Sequence, residues 1–155
     1  MKTQLIREAV PKEAEILSDL AIRSKAYWGY SAEFMSACKE ELSVSSDNIV
    51  NADYYCFLVE KEFCVIGFYS LESLSTSVVE LEALFVEPCH IGTGIGKVLI
   101  NHAIERAKKI GANTMIIQAD PNAKSFYLKA GAKLTGEQAS LSIPERLLPT
   151  FEIEL

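Results

Sequence analysis

The spacing of hydrophobic positions changes several times along the chain, and each change predicts a new element. Gln4 to Val10 reads as a short strand, and Pro11 suits the first position of a helix. Ile16, Leu17, Leu20, Ala21 and Tyr27 then recur at helical spacing until Trp28-Gly29-Tyr30 interrupts them. Ser31 can cap a second helix in which Phe34, Met35, Cys38 and Leu42 share one face. Tyr54 to Val59 and Phe63 to Leu71 are rich in aromatic and β-branched residues. The short Glu60-Lys61-Glu62 link predicts a hairpin between them. A serine-rich loop, Ser73 to Ser77, leads to a strand from Val78 to Val86, which Pro88 ends. A glycine loop and a long helix from about Gly94 to Ile110 follow, stopped by Gly111. Thr114 to Ala119 reads as strand and Asn122 to Ala130 as a short helix stopped by Gly131. In the tail, Phe151, Ile153 and Leu155 alternate with Glu152 and Glu154, the pattern of a half-buried strand.

The resulting order, β-α-α-β-β-β-α-β-α-β-β, predicts an α+β fold with one strand–helix–strand crossover near the middle. Such a crossover makes a locally parallel pair, with a ligand crevice at the C-terminal ends of its strands. There is no internal repeat and no low-complexity linker, so residues 1–155 read as a single domain. The C-terminal strand could pair across a homodimer.

Nearly half the residues, 49%, are hydrophobic, enough for a packed interior. The formal charge of −6 is spread along the chain without a basic stripe, which argues against nucleic acid and favours a cationic partner such as an amine. Cys38, Cys56, Cys64 and Cys89 form no C-x-x-C pair, and His90 and His102 have no zinc-like spacing, so no metal is expected. The thiols read as reduced and structural, as in a cytoplasmic protein. The segment MKTQLIREAV lacks the apolar core of a signal peptide, and no apolar run reaches membrane-spanning length.

The candidate chemistry centres on Leu84-Phe85-Val86-Glu87-Pro88-Cys89-His90-Ile91-Gly92-Thr93-Gly94-Ile95-Gly96-Lys97. Three glycines alternate between a strand and the first turn of a helix. Such a turn lets backbone approach a ligand and aims free N–H groups at it, and the helix dipole adds partial positive charge. Phosphate or pyrophosphate is the natural guest. A P-loop is excluded because Ile91 stands at its first glycine and Val98 at its Ser/Thr. A dinucleotide fingerprint is excluded because Lys97 stands at its third glycine.

These residues resemble the acetyl-CoA loop of the GNAT N-acetyltransferase superfamily, in which [QR]-x-x-G-x-[GA] follows a strand. Gly94 and Gly96 fill its glycine positions, and Ile91 replaces its Gln/Arg, leaving a backbone N–H there. Downstream, Ala123-Lys124-Ser125-Phe126-Tyr127-Leu128-Lys129-Ala130-Gly131-Ala132 resembles the family's A-x-x-F-Y-x-x-x-G-F segment. The close resemblance covers about residues 78–137. It implies a mixed, mostly antiparallel sheet with flanking helices. It also implies direct transfer of an acetyl group from acetyl-CoA to a small-molecule or peptide primary amine. A non-catalytic acyl-CoA sensor is the alternative.

An amine with a pKa near 10.4 must lose its proton before attack, at a cost of roughly 4.6 kcal/mol at pH 7. The reaction therefore asks for a base, an oxyanion donor and an acid. By resemblance Tyr127 is the acid that protonates the departing thiolate. Glu80 and Glu82 share a strand face, and either, directly or through water, is the candidate base. The resemblance gives the Val86 N–H to the oxyanion, and Leu84, Phe85 and Val86 to the pantetheine arm, laid like an added strand. Ile91, Gly92, Thr93, Gly94, Ile95, Gly96 and Lys97 are the candidate diphosphate contacts. Lys124 could reach a phosphate. Asp120 sits where many members have Asn, so Asn122 is expected to take that polar role. By resemblance Trp28 and Tyr30, in the break between helices, line the acceptor pocket; the alternative is that Trp28 plugs the core.

Overall fold

The computed structural model describes residues 4–155. Its elements are β1 (Gln4–Glu8), α1 (Ala14–Ala26), α2 (Ala32–Cys38), α3 (Ser46–Ile49), β2 (Tyr54–Lys61), β3 (Cys64–Ser73), β4 (Val78–Val86), α4 (Ile95–Ile110), β5 (Thr114–Gln118), α5 (Lys124–Lys129), β6 (Lys133–Ala139) and β7 (Leu147–Glu154). The strands form one sheet in the order β1-β2-β3-β4-β5-β7-β6. Every neighbouring pair is antiparallel except β4–β5, which the α4 crossover makes parallel. The mixed α+β architecture expected from the sequence is the one observed.

Helices cover both faces of this sheet, so its central strands are buried on both sides and read as nearly continuous hydrophobic runs. Alternation along β3 distributes its side chains between two cores. Tyr69 and Leu71 join Leu99, Ile100 and Ala103 beneath α4. Phe68 joins Leu17, Leu20 and Ala21 beneath α1, where Cys38 of α2 also packs.

Several boundaries differ from the sequence reading. β1 stops at Glu8, the last residue in register with β2, although Ala9 N–H still bonds Cys56 O at 2.9 Å. Glu60 and Lys61 belong to β2, and the hairpin turns at Glu62-Phe63, both with positive φ (52° and 67°). Positive φ at both positions suits a two-residue hairpin loop, although neither residue is the usual glycine or asparagine. α2 ends at Cys38, and Leu42 reaches the core from the following turn, where its N–H bonds Cys38 O at 3.0 Å. A 3-10 turn over Pro121–Ala123 precedes α5. β7 lies between β5 and β6, with both edges paired, so the C-terminal strand has no free edge to offer a second copy.

Two irregularities shape the site. β4 and β5 pair only from Val78↔Thr114 to Leu81↔Ile117, while β4 runs on to Val86 with that edge open. Across β4's other edge, Ser70 pairs with Ala83 and Leu71 with Leu81, leaving Glu82 as the extra residue of a β-bulge. The bulge puts Leu81 in the core under α4 and Ala83 against the core under α1, although two residues apart they would otherwise share a face.

Candidate active site

The open edge of β4 leads into the glycine loop. Gly92 and Gly94 have φ of 84° and 93°, values that side-chain-bearing residues rarely adopt. Gly94 caps α4, whose first intrahelical bond runs from Val98 N–H to Gly94 O at 3.1 Å. Among the described residues, the amides of Gly92, Gly94, Ile95, Gly96 and Lys97 have no acceptor; helix geometry leaves those of the N-cap and first turn unpaired, and Gly92 adds one from the preceding turn. The other two loop amides are engaged. Ile91 N–H bonds Pro88 O at 3.2 Å and Thr93 N–H bonds His90 O at 3.2 Å. The amide of Ile91 is therefore not the free donor the sequence reading expected, because the loop folds back on a 3-10 turn at Pro88–His90. Gly96 is the point of closest packing: a Cβ there would lie 3.0 Å from Phe126 Cε1. The two sequence motifs thus meet at that contact.

From this loop a cleft of about 730 Å³ runs along β4. Its walls include His90, Ile91, Gly92, Gly94, Gly96 and Lys97 at one end, Leu84, Phe85 and Val86 in the middle, and Glu80, Glu82, Tyr54 and Ser70 at the other. Tyr127, Asn122 and Trp28 also face it. Thr93, Ile95, Lys124 and Tyr30 do not line it.

The backbone of β4 corrects one expectation. Val86 N–H donates to Ser24 Oγ at 3.3 Å, so it already has a partner on the open side. Glu87 N–H bonds Ile66 O of the neighbouring chain segment at 2.8 Å. Alternation then turns Phe85 toward β3 as well and leaves the N–H and C=O of Leu84 on the open side.

Tyr127 is buried, its ring 5.0 Å from that of Phe126 and 5.8 Å from that of Phe151. Burial raises its hydroxyl well above the ordinary tyrosine range. On β3 and β4, carboxylate oxygens of Glu72, Glu80 and Glu82 lie within 4.8 Å of one another, and Glu80 and Glu82 line the cleft. Desolvation raises Glu80, with Glu72 adding to it. Desolvation, then Glu72, pushes Glu82 up to about 8.

A polar hub closes the remaining side. Asp120 Oδ2 accepts from Lys25 Nζ at 3.1 Å and from Tyr30 Oη at 2.8 Å, while Arg146 donates to Tyr30 Oη at 2.7 Å. Asn122 Nδ2 donates to Tyr30 Oη at 2.9 Å and to Asp120 Oδ1 at 3.0 Å. Its amide is thereby spent inside the hub. Hydrogen bonds from Asn122 N–H and Tyr30, together with Lys25, hold Asp120 below the usual carboxylate range despite desolvation. Arg146 and Lys25 also lie over the stacked rings of Tyr30 and Phe34.

Residues 20–132 match the family model for the Acetyltransferase (GNAT) family. The chain belongs to the GNAT family. Among solved GNAT structures it resembles the PaiA N-acetyltransferase of Thermoplasma acidophilum in complex with coenzyme A, with a TM-score of 0.81, 24% identity and 99% of each chain covered. It also resembles an aminoglycoside 6'-N-acetyltransferase complexed with coenzyme A, with a TM-score of 0.74, 18% identity and 97% and 96% coverage. At these identities the likeness is one of fold. A peptidyl-lysine N-acetyltransferase of Escherichia coli (strain K12), YjaB, is 38% identical over 56 residues, 36% of this chain and 37% of the relative. The aligned segment thus spans little more than a third of that relative.

The structure also gives site roles to residues to which sequence reasoning assigned none. Ser24 and Lys25 line the cleft, Glu72 walls a separate hollow beside it, and Arg146 belongs to the hub. Glu72 was accessible in principle, because hairpin pairing of β3 with β4 sets it directly across from Glu80. Trp28 is 45% exposed at the cleft mouth, in an edge-on pair with Tyr27, and so does not plug the core. Tyr30 serves the hub. The four cysteines are unpaired, Cys38 and Cys56 buried, Cys64 and Cys89 exposed.

Proposed function

We propose that this GNAT-family chain transfers the acetyl group of acetyl-CoA to a primary amine within a ternary complex. One observation supports the reading above the others: a single cleft joins an unpaired helix N-terminus, an open strand edge, a buried tyrosine and carboxylates of raised pKa. Acetyl-CoA supplies an acyl group activated as a thioester.

The chain's own groups fit that substrate. The amides of Gly92, Gly94, Gly96 and Lys97 hold the diphosphate at the positive end of α4. The unpaired edge of β4 at Leu84 receives the pantetheine arm, as a sheet edge receives a strand. Leu84 N–H is the free amide on that edge and faces the carbonyl oxygen. Glu80 or Glu82, as carboxylate, takes the proton of the incoming ammonium. Tyr127 keeps its proton at neutral pH and lends it to the departing sulfur.

The acceptor is a small-molecule or peptide amine. The name of the E. coli relative adds a lysine peptide to the set to be tested. Purified protein is mixed with acetyl-CoA and an amine panel, and free thiol is measured. Amine-dependent release supports the reading. Saturable coenzyme A binding with no release across the panel would falsify it in favour of an acyl-CoA-binding module.

A further inference from the structure

β4 and β5 pair as far as Leu81↔Ile117 and then diverge. The last turn of α1 spans the gap between their ends. Successive side chains on a helix point about 100° apart, so three in a row reach in three directions. Arg23 Nε and Nη2 donate to the carboxylate of Glu87, just past β4, at 2.9 and 2.7 Å. Lys25 Nζ donates to Asp120, beyond the end of β5, at 3.1 Å. Ser24 lies between these two anchors, is 8% exposed and lines the cleft. Its Oγ accepts from Val86 N–H at 3.3 Å. The flanking ion pairs tie this turn to both strand ends and so hold the hydroxyl in the gap.

A serine hydroxyl accepts through its lone pairs and also donates one proton. Ser24 here only accepts. Among the described residues its proton has no acceptor, whereas Ser18 of the same helix donates to Ala14 O at 2.8 Å. A buried donor left without an acceptor is costly unless a ligand completes it. Accepting from an amide also polarises the O–H and makes it a better donor. The group that fits there is a hydrogen-bond acceptor inside the cleft, beside the edge of β4. Two residues of extended strand place Val86 about 6.8 Å beyond Leu84, toward the glycine loop. An acyl-CoA whose thioester oxygen faces Leu84 N–H and whose diphosphate rests on α4 lays its arm across that interval. The thioethylamine link carries the first amide carbonyl of the arm over a comparable span.

We propose that Ser24 is a cofactor-binding residue: its hydroxyl, rather than the Val86 amide, donates to an amide carbonyl of the pantetheine arm. This rests on the acetyltransferase reading, which sets the direction of the arm. The edge of β4 then meets the arm through two kinds of donor, a main-chain amide at Leu84 and a side chain from α1 at Val86. No covalent bond changes at Ser24, so its part is affinity and the placement of the thioester.

Titration calorimetry tests this with two ligands, coenzyme A and 3'-phosphoadenosine 5'-diphosphate, which keeps the diphosphate and lacks the arm. Ser24→Ala should weaken coenzyme A binding about five- to tenfold, the range expected for one hydrogen bond. Binding of the armless nucleotide should stay within about twofold, which also reports that the variant is folded. Unchanged coenzyme A affinity in Ser24→Ala overturns the proposal, because the arm then does not depend on that hydroxyl. An equal loss for both ligands overturns it too, since Ser24 then serves only the fold. A loss confined to coenzyme A, with no thiol release from acetyl-CoA for any amine, leaves Ser24 as a contact of the arm and overturns the acetyltransferase reading instead.

Discussion

Tyr127 sits in a shell of aromatic rings, and its hydroxyl is the one phenol facing the middle of the cleft from α5. Removing that oxygen alone isolates its chemistry. Tyr127→Phe should lower kcat by about 10²-fold, while calorimetry finds coenzyme A affinity changed by less than threefold. Glu82 makes a prediction in pH. The base is the carboxylate form, and its pKa is pushed up to about 8, so kcat/KM should rise as pH climbs toward and through 8. Glu82→Gln should flatten that limb if Glu82 is the base, and Glu80→Gln should do so if the proton passes there. Stability runs the other way. A carboxyl whose folded pKa is raised favours the folded state at low pH and withdraws that support as pH rises from about 4.5 to about 8. Thermal melts of Glu82→Gln should therefore exceed wild type most clearly at pH 8 and above.

At the scale of elements, the contact between α4 and α5 couples cofactor grip to the acid. Gly96 lets the first turn of α4 approach Phe126, which neighbours Tyr127 on α5. Gly96→Ala should push that ring away, weakening coenzyme A binding about tenfold and lowering kcat as well; titration calorimetry and steady-state kinetics read the two effects separately. The hub couples four other segments: the end of α1, the turn before α2, the β5–α5 turn and the loop before β7. Asp120→Ala strands Lys25 and Arg146 without their carboxylate. Both side chains are about five-sixths buried, so the loss should be on the order of 2–3 kcal/mol, measured by urea denaturation. Asp120 departs from the common residue of the family, yet the sequence contained both cations that explain it. Their separations of 95 residues from Lys25 and 26 from Arg146 hid the pairing.

For the whole molecule, the sheet order decides what each edge can do. β7 fills the space between β5 and β6, and its Phe151 and Ile153 are buried in the core under α4. Deleting residues 147–155 should abolish cooperative unfolding in circular dichroism, because β5 and β6 lose their shared partner together. Much of this architecture was legible beforehand. Helical and alternating periodicities, proline and glycine stops, and two spaced motifs yielded the element order, the parallel crossover and the glycine turn, since all of these are local properties of a stretch of chain. The hairpin turn, the bulge at Glu82 and the ends of α2 and β1 were not legible, because pairing and packing against distant segments set them. The same distinction runs through the site. Gly92, Gly94, Gly96 and Tyr127 announce themselves by residue type and spacing, whereas Ser24 and Glu72 matter only for what folding sets beside them. Ser24 lies 62 residues before the amide it occupies. Backbone conformation and the capacity to bind phosphate are written in short range, so sequence alone determined them. Which amides stay free and which carboxylates crowd together depend on contacts between remote residues, and only the tertiary structure decided those.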